Sequence, residues 1–170
     1  DVFFVISGFL MTSIIVKGIK ANNFSLTSFY FARANRIIPP LFILCMACLI
    51  FGYLFLIPYD FETLSRHVLS SAGFFSNITY MNEAGYFDSA SHDKWLLHTW
   101  SLSVEWQFYI IYPLILILSK RLFSLGSLAK SVVILAGISF ILCIIASQYW
   151  PTTSFFSLTT RAWEMLLGGV

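Results

Sequence analysis

The residues best able to do chemistry lie in one short segment, L-L-H-T-W-S-L-S-V-E-W-Q-F-Y at 96–109. On a helix, polar side chains in and just after this segment fall within one stripe about 80° wide: His98, Ser101, Glu105, Tyr109 and Tyr112. Such a stripe is unlike a lipid-facing surface, so we expect it to face a polar cavity between helices. Substrate binding or proton transfer is the favoured chemistry, and purely structural hydrogen bonding is the alternative.

A nucleophilic triad is a second interpretation of the same stripe, because Ser101 lies three residues after His98 and four before Glu105. At about 1.5 Å of rise per residue, the backbones of His98 and Glu105 are about 10 Å apart. Glu105 is then too far away to orient the imidazole as a triad requires. Ser101 as a nucleophile is therefore the less favoured alternative.

Two charged pairs lie outside this segment. Arg161 and Glu164 are three residues apart, so they can pair on one helix face, and a buried structural salt bridge is favoured over a catalytic role. Arg33 and Arg36 lie on one side of a helical turn, where two guanidiniums can clamp a phosphate-rich ligand. From charge alone, topological anchoring or contact with lipid headgroups is favoured for this second pair.

The composition indicates what kind of fold positions these groups. Of 170 residues, 58% are hydrophobic, 18% aromatic and only 11% charged, whereas an ordinary soluble domain has roughly 25% charged residues. Too few charges are present to coat a soluble exterior, so we predict an all-α polytopic protein in the lipid bilayer. The basic residues are scattered and form no dense basic surface, which excludes nucleic-acid binding. The histidines lack the spacing of metal ligands, which argues against a metal site.

Apolar stretches give the predicted spans, since about 20 such residues are needed to cross about 30 Å of hydrocarbon. We predict a bundle of about five transmembrane helices: 2–16, 38–57, 99–118, 131–149 and 155–170. Pro39 and Pro40 are expected to begin the second span, where a missing N–H does no harm. Gly8 and the pair Gly168-Gly169 are expected to permit close helix packing. We expect 1–170 to be one transmembrane domain, incomplete at both ends.

Loop charges orient the spans. Segments 17–37 and 119–130 carry basic residues and no acid, so both are expected to face the cytoplasm. The acid-rich connection 58–94 is expected on the opposite side. Two basic segments separated by two spans lie on the same face, so 64–80 is not expected to complete a crossing. We therefore predict an outer-side amphipathic or re-entrant segment within 58–94.

Six motifs in this order resemble acyltransferase family 3, a family of integral-membrane O-acyltransferases. They are D-V-F-F-V-I-S-G-F-L-M-T at 1–12, F-Y-F-A-R-A-N-R-I-I-P-P at 29–40, S-N-I-T-Y at 76–80, G-Y-F-D at 85–88, the segment 96–109 and T-R-A-W-E-M-L-L-G-G at 160–169. The resemblance covers nearly the whole chain.

The resemblance implies an enzyme of the bacterial inner membrane that transfers an acyl group, usually acetyl. The donor would be cytoplasmic acyl-CoA, with acetyl-CoA as co-substrate and no bound cofactor. The acceptor would be a hydroxyl of a cell-surface glycan or lipid-linked sugar on the outer side. Lipopolysaccharide, peptidoglycan and exopolysaccharide are the acceptors that the resemblance implies. Carried over by motif, the catalytic segment supplies Glu105, His98 and Ser101, the acyl-CoA contacts are Arg33 and Arg36, and supporting residues are Asp1, Arg161 and Glu164.

Two departures from the family pattern limit this implication. Trp106 stands where many relatives carry a second acid. The family's presumed catalytic histidine precedes Asp1, so we expect the 170-residue chain alone to be inactive. A transporter of a small polar solute and a non-catalytic membrane scaffold remain the competing classes. A transporter would more often show Gly/Pro-interrupted helices in two corresponding halves, and no such duplication is visible.

Overall fold

The computed structural model describes residues 2–84, 94–122 and 128–170. Within these ranges the chain forms eight α-helices and no strand: α1 (Val2–Lys20), α2 (Leu26–Phe55), α3 (Pro58–Ala72), α4 (Ser76–Glu83), α5 (Thr99–Leu122), α6 (Leu128–Tyr149), α7 (Pro151–Phe156) and α8 (Leu158–Gly168). Four are long and apolar enough to cross a membrane, namely α1, α2, α5 up to Arg121, and α6. The prediction of an all-α polytopic membrane protein is confirmed.

The second span begins at Leu26 and not at residue 38 as predicted. Ser25 caps the new start, because its Oγ accepts a hydrogen bond from the Ser28 N–H at 3.4 Å. The Phe24 ring packs against the Phe29 ring at 5.8 Å between centroids. A capping hydroxyl followed by a contact between the N′ and N4 side chains is a recognised helix start, and the sequence prediction overlooked it.

Pro39 and Pro40 lie inside α2 and do not begin it, contrary to the prediction. Neither ring can donate the hydrogen bond that the carbonyls of Asn35 and Arg36 would receive in a regular helix. Spanning helices tolerate such prolines because neighbouring packing and other donors compensate for the lost bond. Arg36 is consequently a helical residue and not part of a loop.

Residues 155–170 do not form the fifth continuous span that the apolar pattern predicts. α7 ends at Phe156, and Ser157 is extended with φ −84° and ψ 140° before α8 begins. The Thr160 hydroxyl bridges the break, since it lies 2.7 Å from the Ser154 carbonyl and 3.0 Å from that of Ser157. With 11 residues, α8 is too short to cross about 30 Å of hydrocarbon.

The chain divides into two compact units, Asp1–Tyr30 with Glu105–Val170 (unit 1) and Phe31–Val104 (unit 2). In unit 1, α1 and α5 run parallel, because their side-chain contacts follow the same order. The Thr12 and Tyr112 hydroxyls are 2.7 Å apart, and Lys120 Nζ lies 3.3 Å from the Ile19 carbonyl, nearer both helix ends. The two basic segments therefore begin at the same end of unit 1, as the loop charges predicted.

Two glycines let α1 and α8 approach closely, as expected from the sequence. A Cβ added at Gly8 would lie 1.7 Å from the Met165 carbonyl oxygen, and one at Gly168 would lie 1.9 Å from that of Val5. Both obstacles are backbone atoms, which a rotamer change cannot move. Only glycine fits at these two positions.

Unit 2 packs α2 against α3 and the start of α5. Its buried apolar cluster includes Leu41 and Cys45 of α2, Leu64 and Val68 of α3, and Leu96. Neither α3 nor α4 is among the helices able to cross a membrane. The prediction that residues 64–80 do not complete a crossing is consistent with this, and the side of the membrane on which they lie stays a prediction.

Candidate active site

In unit 1, α5 presents Glu105 to a hydrogen-bonded relay. The Tyr109 hydroxyl, one helical turn later, donates to Glu105 Oε1. The Ser7 Oγ of α1 lies 2.7 Å from the same tyrosine oxygen, so Ser7 donates to Tyr109 when Tyr109 donates to Glu105. The tyrosine is 5% exposed. The relay links the motif at 1–12 to the segment 96–109 through part-buried hydroxyl groups.

His98 and Ser101 belong to unit 2, and their geometry does not form a nucleophile with its base. α5 begins at Thr99, so His98 precedes the helix on which the sequence analysis placed it. The Ser101 hydroxyl donates to the His98 backbone carbonyl at 3.0 Å and not to the imidazole. The imidazole itself is exposed. This arrangement offers Ser101 no partner to remove its proton.

The structure brings His98 together with Arg36. A cavity of about 410 Å³ in unit 2 is lined by these two side chains, by Thr99 and by apolar residues of α2 and α5. Its volume lies in the range of about 300–1,000 Å³ that small-molecule sites occupy. Arg33, the other member of the predicted pair, is not among the lining residues. The lining residues that the structure describes combine a guanidinium, an imidazole and a mainly apolar surface.

Arg161 and Glu164 form the ion pair that their spacing predicts, with Arg161 Nη1 donating to Glu164 Oε1. The side chains are 14% and 6% exposed. Arg161 Nε also donates to the Phe155 carbonyl at 3.2 Å, and the guanidinium lies 4.9 Å from the centre of that ring. These contacts tie α8 to α7 across the break at Ser157, which is a structural task.

Replacing Glu164 by Ala in the full-length protein is expected to destabilise the fold by about 3–5 kcal/mol, because Arg161 is then left buried without its carboxylate. The double variant Arg161→Met/Glu164→Leu is expected to recover most of that loss, since apolar side chains need no partner. Thermal unfolding in detergent measures both effects. A single variant as stable as the wild type would contradict a structural role.

The remaining predicted residue, Asp1, lies outside the described residues. Among those described, no group of three or more His, Cys, Asp and Glu side chains could hold a metal ion. The absence of a bound cofactor stays a prediction.

Sequence reasoning missed a second polar cluster in unit 2. His67, 2% exposed, places Nε2 2.9 Å and 3.0 Å from the two carboxylate oxygens of Glu83. Lys94 Nζ lies 3.7 Å from Glu83 Oε2, and the Tyr80 ring lies 4.9 Å from the imidazole. Burial, and secondarily the Glu83 charge, hold the pKa of Tyr80 above its ordinary value, so the phenol stays protonated.

Hydroxyl groups continue the polar interior of unit 2 next to this cluster. Ser71 and Thr99 are 2.6 Å apart, and Ser76 and Ser103 are 2.7 Å apart. Ser71 also donates to the His67 carbonyl at 2.7 Å. The only sequence signal was a histidine among serines in an amphipathic stretch, L-S-R-H-V-L-S-S at 64–71.

Comparison with known proteins places the whole chain in one family. The family model described as an acyltransferase domain matches residues 1–170. An uncharacterised protein of Haemophilus influenzae is 45% identical over 124 residues, which cover 72% of this chain and 50% of that protein. The peptidoglycan O-acetyltransferase OatA of Listeria monocytogenes is 28% identical over 180 residues, covering 99% of this chain and 28% of that protein.

The O-acetyltransferase OatA of Staphylococcus aureus is 30% identical over 172 residues, covering 99% of this chain and 28% of that protein. The chain thus spans half the length of the first relative and 28% of the other two. No solved structure matches it significantly. Because the family model covers residues 1–170, this chain belongs to acyltransferase family 3, whose members are membrane acyltransferases.

Proposed function

We propose that the full-length protein transfers an acetyl group from acyl-CoA to a hydroxyl of a bacterial cell-surface glycan. The observation that carries the proposal is the cavity shared by Arg36 and His98, which come from two motifs far apart in the sequence. A guanidinium beside apolar walls fits a ligand that is phosphate-rich at one end and apolar at the other. Acyl-CoA has both features.

The reaction is an acyl transfer from sulfur to oxygen. The acceptor hydroxyl oxygen attacks the thioester carbonyl, the C–S bond breaks, and CoA leaves as the thiol with the proton that the hydroxyl gives up. Arg36 contacts the donor's phosphates, and His98 supplies an imidazole that can hydrogen-bond the donor. Glu105 accepts a hydrogen bond from Tyr109, which in turn contacts Ser7. Its carboxylate supplies a negative charge that favours removal of the proton from the acceptor hydroxyl.

The donor is proposed to come from the cytoplasm, and the acceptor from the outer side of the inner membrane. Excess Lys and Arg mark cytoplasmic loops, and they also attract the CoA phosphates. The Listeria relative is named for peptidoglycan, which favours a peptidoglycan hydroxyl as the first acceptor to test. Lipopolysaccharide, suggested by the family resemblance, is the second.

Deleting the parent gene is expected to remove ester-linked acetate from the surface glycan, and the wild-type gene is expected to restore it. Restoration by Arg36→Ala should fall about 10-fold or more at limiting acetyl-CoA, because a charged phosphate contact is worth about 1.5–3 kcal/mol. Acetate released by mild base from purified peptidoglycan and lipopolysaccharide is the measurement.

The matched control is Arg66→Ala, since Arg66 is an exposed arginine paired only weakly with Glu62 at 3.4 Å on α3. It should restore acetate fully. Unchanged glycan acetate together with lost uptake of a solute would instead identify a transporter. Full acetate in the Arg36 variant would remove Arg36 from the donor site.

A further inference from the structure

A second cavity in unit 2 lies apart from the one that contains Arg36. It measures about 360 Å³ and is lined by Tyr59, Asp60, Thr63 and His67 of α3, by Trp95, and by two leucines. The residues at 59, 63 and 67 follow each other at four-residue spacing, so they share one face of the helix. The volume is that of a site for a small ligand, which occupies about 300–1,000 Å³.

Two aromatic rings stand at this cavity. Tyr59 is 76% exposed and Trp95 is 45% exposed. The Trp95 ring lies 5.2 Å from that of Phe51, which limits the positions it can adopt. Exposed aromatic rings are common at membrane interfaces and do not by themselves indicate a ligand. The polar groups between them decide the chemistry.

The polar lining groups are mainly acceptors. In the part of the chain that the structure describes, the Asp60 carboxylate has no hydrogen-bonding partner. The Thr63 hydroxyl donates to the Tyr59 carbonyl at 3.2 Å, which leaves its oxygen able to accept. Among the described lining side chains, Asp60 is acidic and none is a lysine or an arginine. A phosphate headgroup or CoA would be repelled, whereas a neutral ligand rich in hydroxyl donors fits.

The imidazole at this cavity is held in a fixed orientation. The His67 Nε2 lies 2.9–3.0 Å from both carboxylate oxygens of Glu83. Lys94 Nζ lies 3.7 Å from Oε2 of the same carboxylate. The His67 and Lys94 side chains are almost fully buried and Glu83 is partly buried, so pairing offsets the desolvation cost and fixes the orientation of the ring. Because Nε2 is occupied, Nδ1 is the ring nitrogen left to bond a ligand hydroxyl.

We propose that this cavity binds one sugar ring of the acceptor glycan. The proposal rests on the proposed function and names the subsite of its acceptor. Tyr59 and Trp95 contact the apolar face of the ring, and Asp60, Thr63 and His67 bond its hydroxyls. A pyranose presents C–H groups on its faces and hydroxyls around its edge, which matches this division of aromatic and polar walls.

The test measures initial rates of acetyl transfer by membranes that contain the full-length protein. The substrates are radiolabelled acetyl-CoA and peptidoglycan or lipopolysaccharide purified from the deletion strain, each varied in turn. Asp60→Asn is expected to raise the KM for glycan about 10-fold, the effect of weakening a charged hydrogen bond. Trp95→Ala should raise it about 3- to 10-fold. The KM for acetyl-CoA should stay within about twofold.

Glu62→Gln is the matched control, because it removes an exposed carboxylate two residues from Asp60 that does not line the cavity. Its kinetics should equal those of the wild type. If the wild type transfers acetate and Asp60→Asn leaves the glycan KM unchanged, or shifts both KM values equally, the subsite is wrong and the proposed function stands. If the wild type transfers no acetate to either glycan, both proposals fail.

Discussion

Replacing Glu105 by Gln in the full-length protein is expected to lower glycan acetylation at least about 100-fold without loss of protein from the membrane. The amide keeps the size of the side chain, and its carbonyl oxygen can still accept the hydrogen bond from Tyr109. What disappears is the negative charge, and a positioned charge or base contributes about 10²- to 10⁴-fold to such reactions. Ester-linked acetate on purified glycan is the measurement.

Tyr109→Phe separates the charge from its hydrogen bonds. This variant keeps the Glu105 carboxylate but removes the hydroxyl that joins it to Ser7. Activity about 10-fold below that of the wild type is expected, which corresponds to one charged hydrogen bond. Fluorescence-detected size exclusion confirms that both variants are folded. Wild-type activity in folded Glu105→Gln would remove Glu105 from the site.

A large effect on stability is expected at Gly8. In Gly8→Ala the new methyl group would lie 1.7 Å from the Met165 carbonyl oxygen, so α1 and α8 must separate. Overpacking typically costs about 1–3 kcal/mol, and a clash with backbone atoms belongs at the upper end of that range or above it. We expect a strongly lowered melting temperature, or no folded protein, when the full-length chain is purified in detergent.

Gly137→Ala provides a control that makes the same chemical change in another spanning helix. A Cβ at Gly137, within α6, meets nothing within 4 Å. Alanine is favoured over glycine inside a helix by about 0.5–1 kcal/mol, so this variant should be as stable as the wild type or slightly more stable. Equal melting temperatures for the two variants would show that α1 and α8 do not pack through Gly8.

The interior of unit 2 shows why polar clusters are hard to read from one sequence. Glu83, the partner of His67, lies 16 residues further along the chain and on another helix. Spacing rules relate residues three or four positions apart on one helix, so they found Arg161 with Glu164. Spacing rules cannot predict a pair, such as His67 with Glu83, that forms only when two helices pack together.

The amino-acid sequence is enough to predict that the chain spans a membrane with helices. Apolar runs of about 20 residues and a charge content of 11% allow little else. Basic residues in 17–37 and 119–130 predicted that these segments share one end, and the contact of Lys120 with Ile19 agrees. Hydropathy did not locate the start of α2 or the break at Ser157, because hydroxyl hydrogen bonds at Ser25 and Thr160 mark them, and single hydroxyl groups change an average over many residues very little.

Which polar groups meet depends on how the helices pack. It joined Arg36 to His98 at one cavity, and it directed the Ser101 hydroxyl to a backbone carbonyl. It also placed an oriented imidazole, His67, at a cavity that no motif marks. Within lipid, a buried polar group has no water with which to form a hydrogen bond, so it must bond to another protein group. That partner is on the helix that packs beside it, and the packing of helices is not given by distance along the sequence.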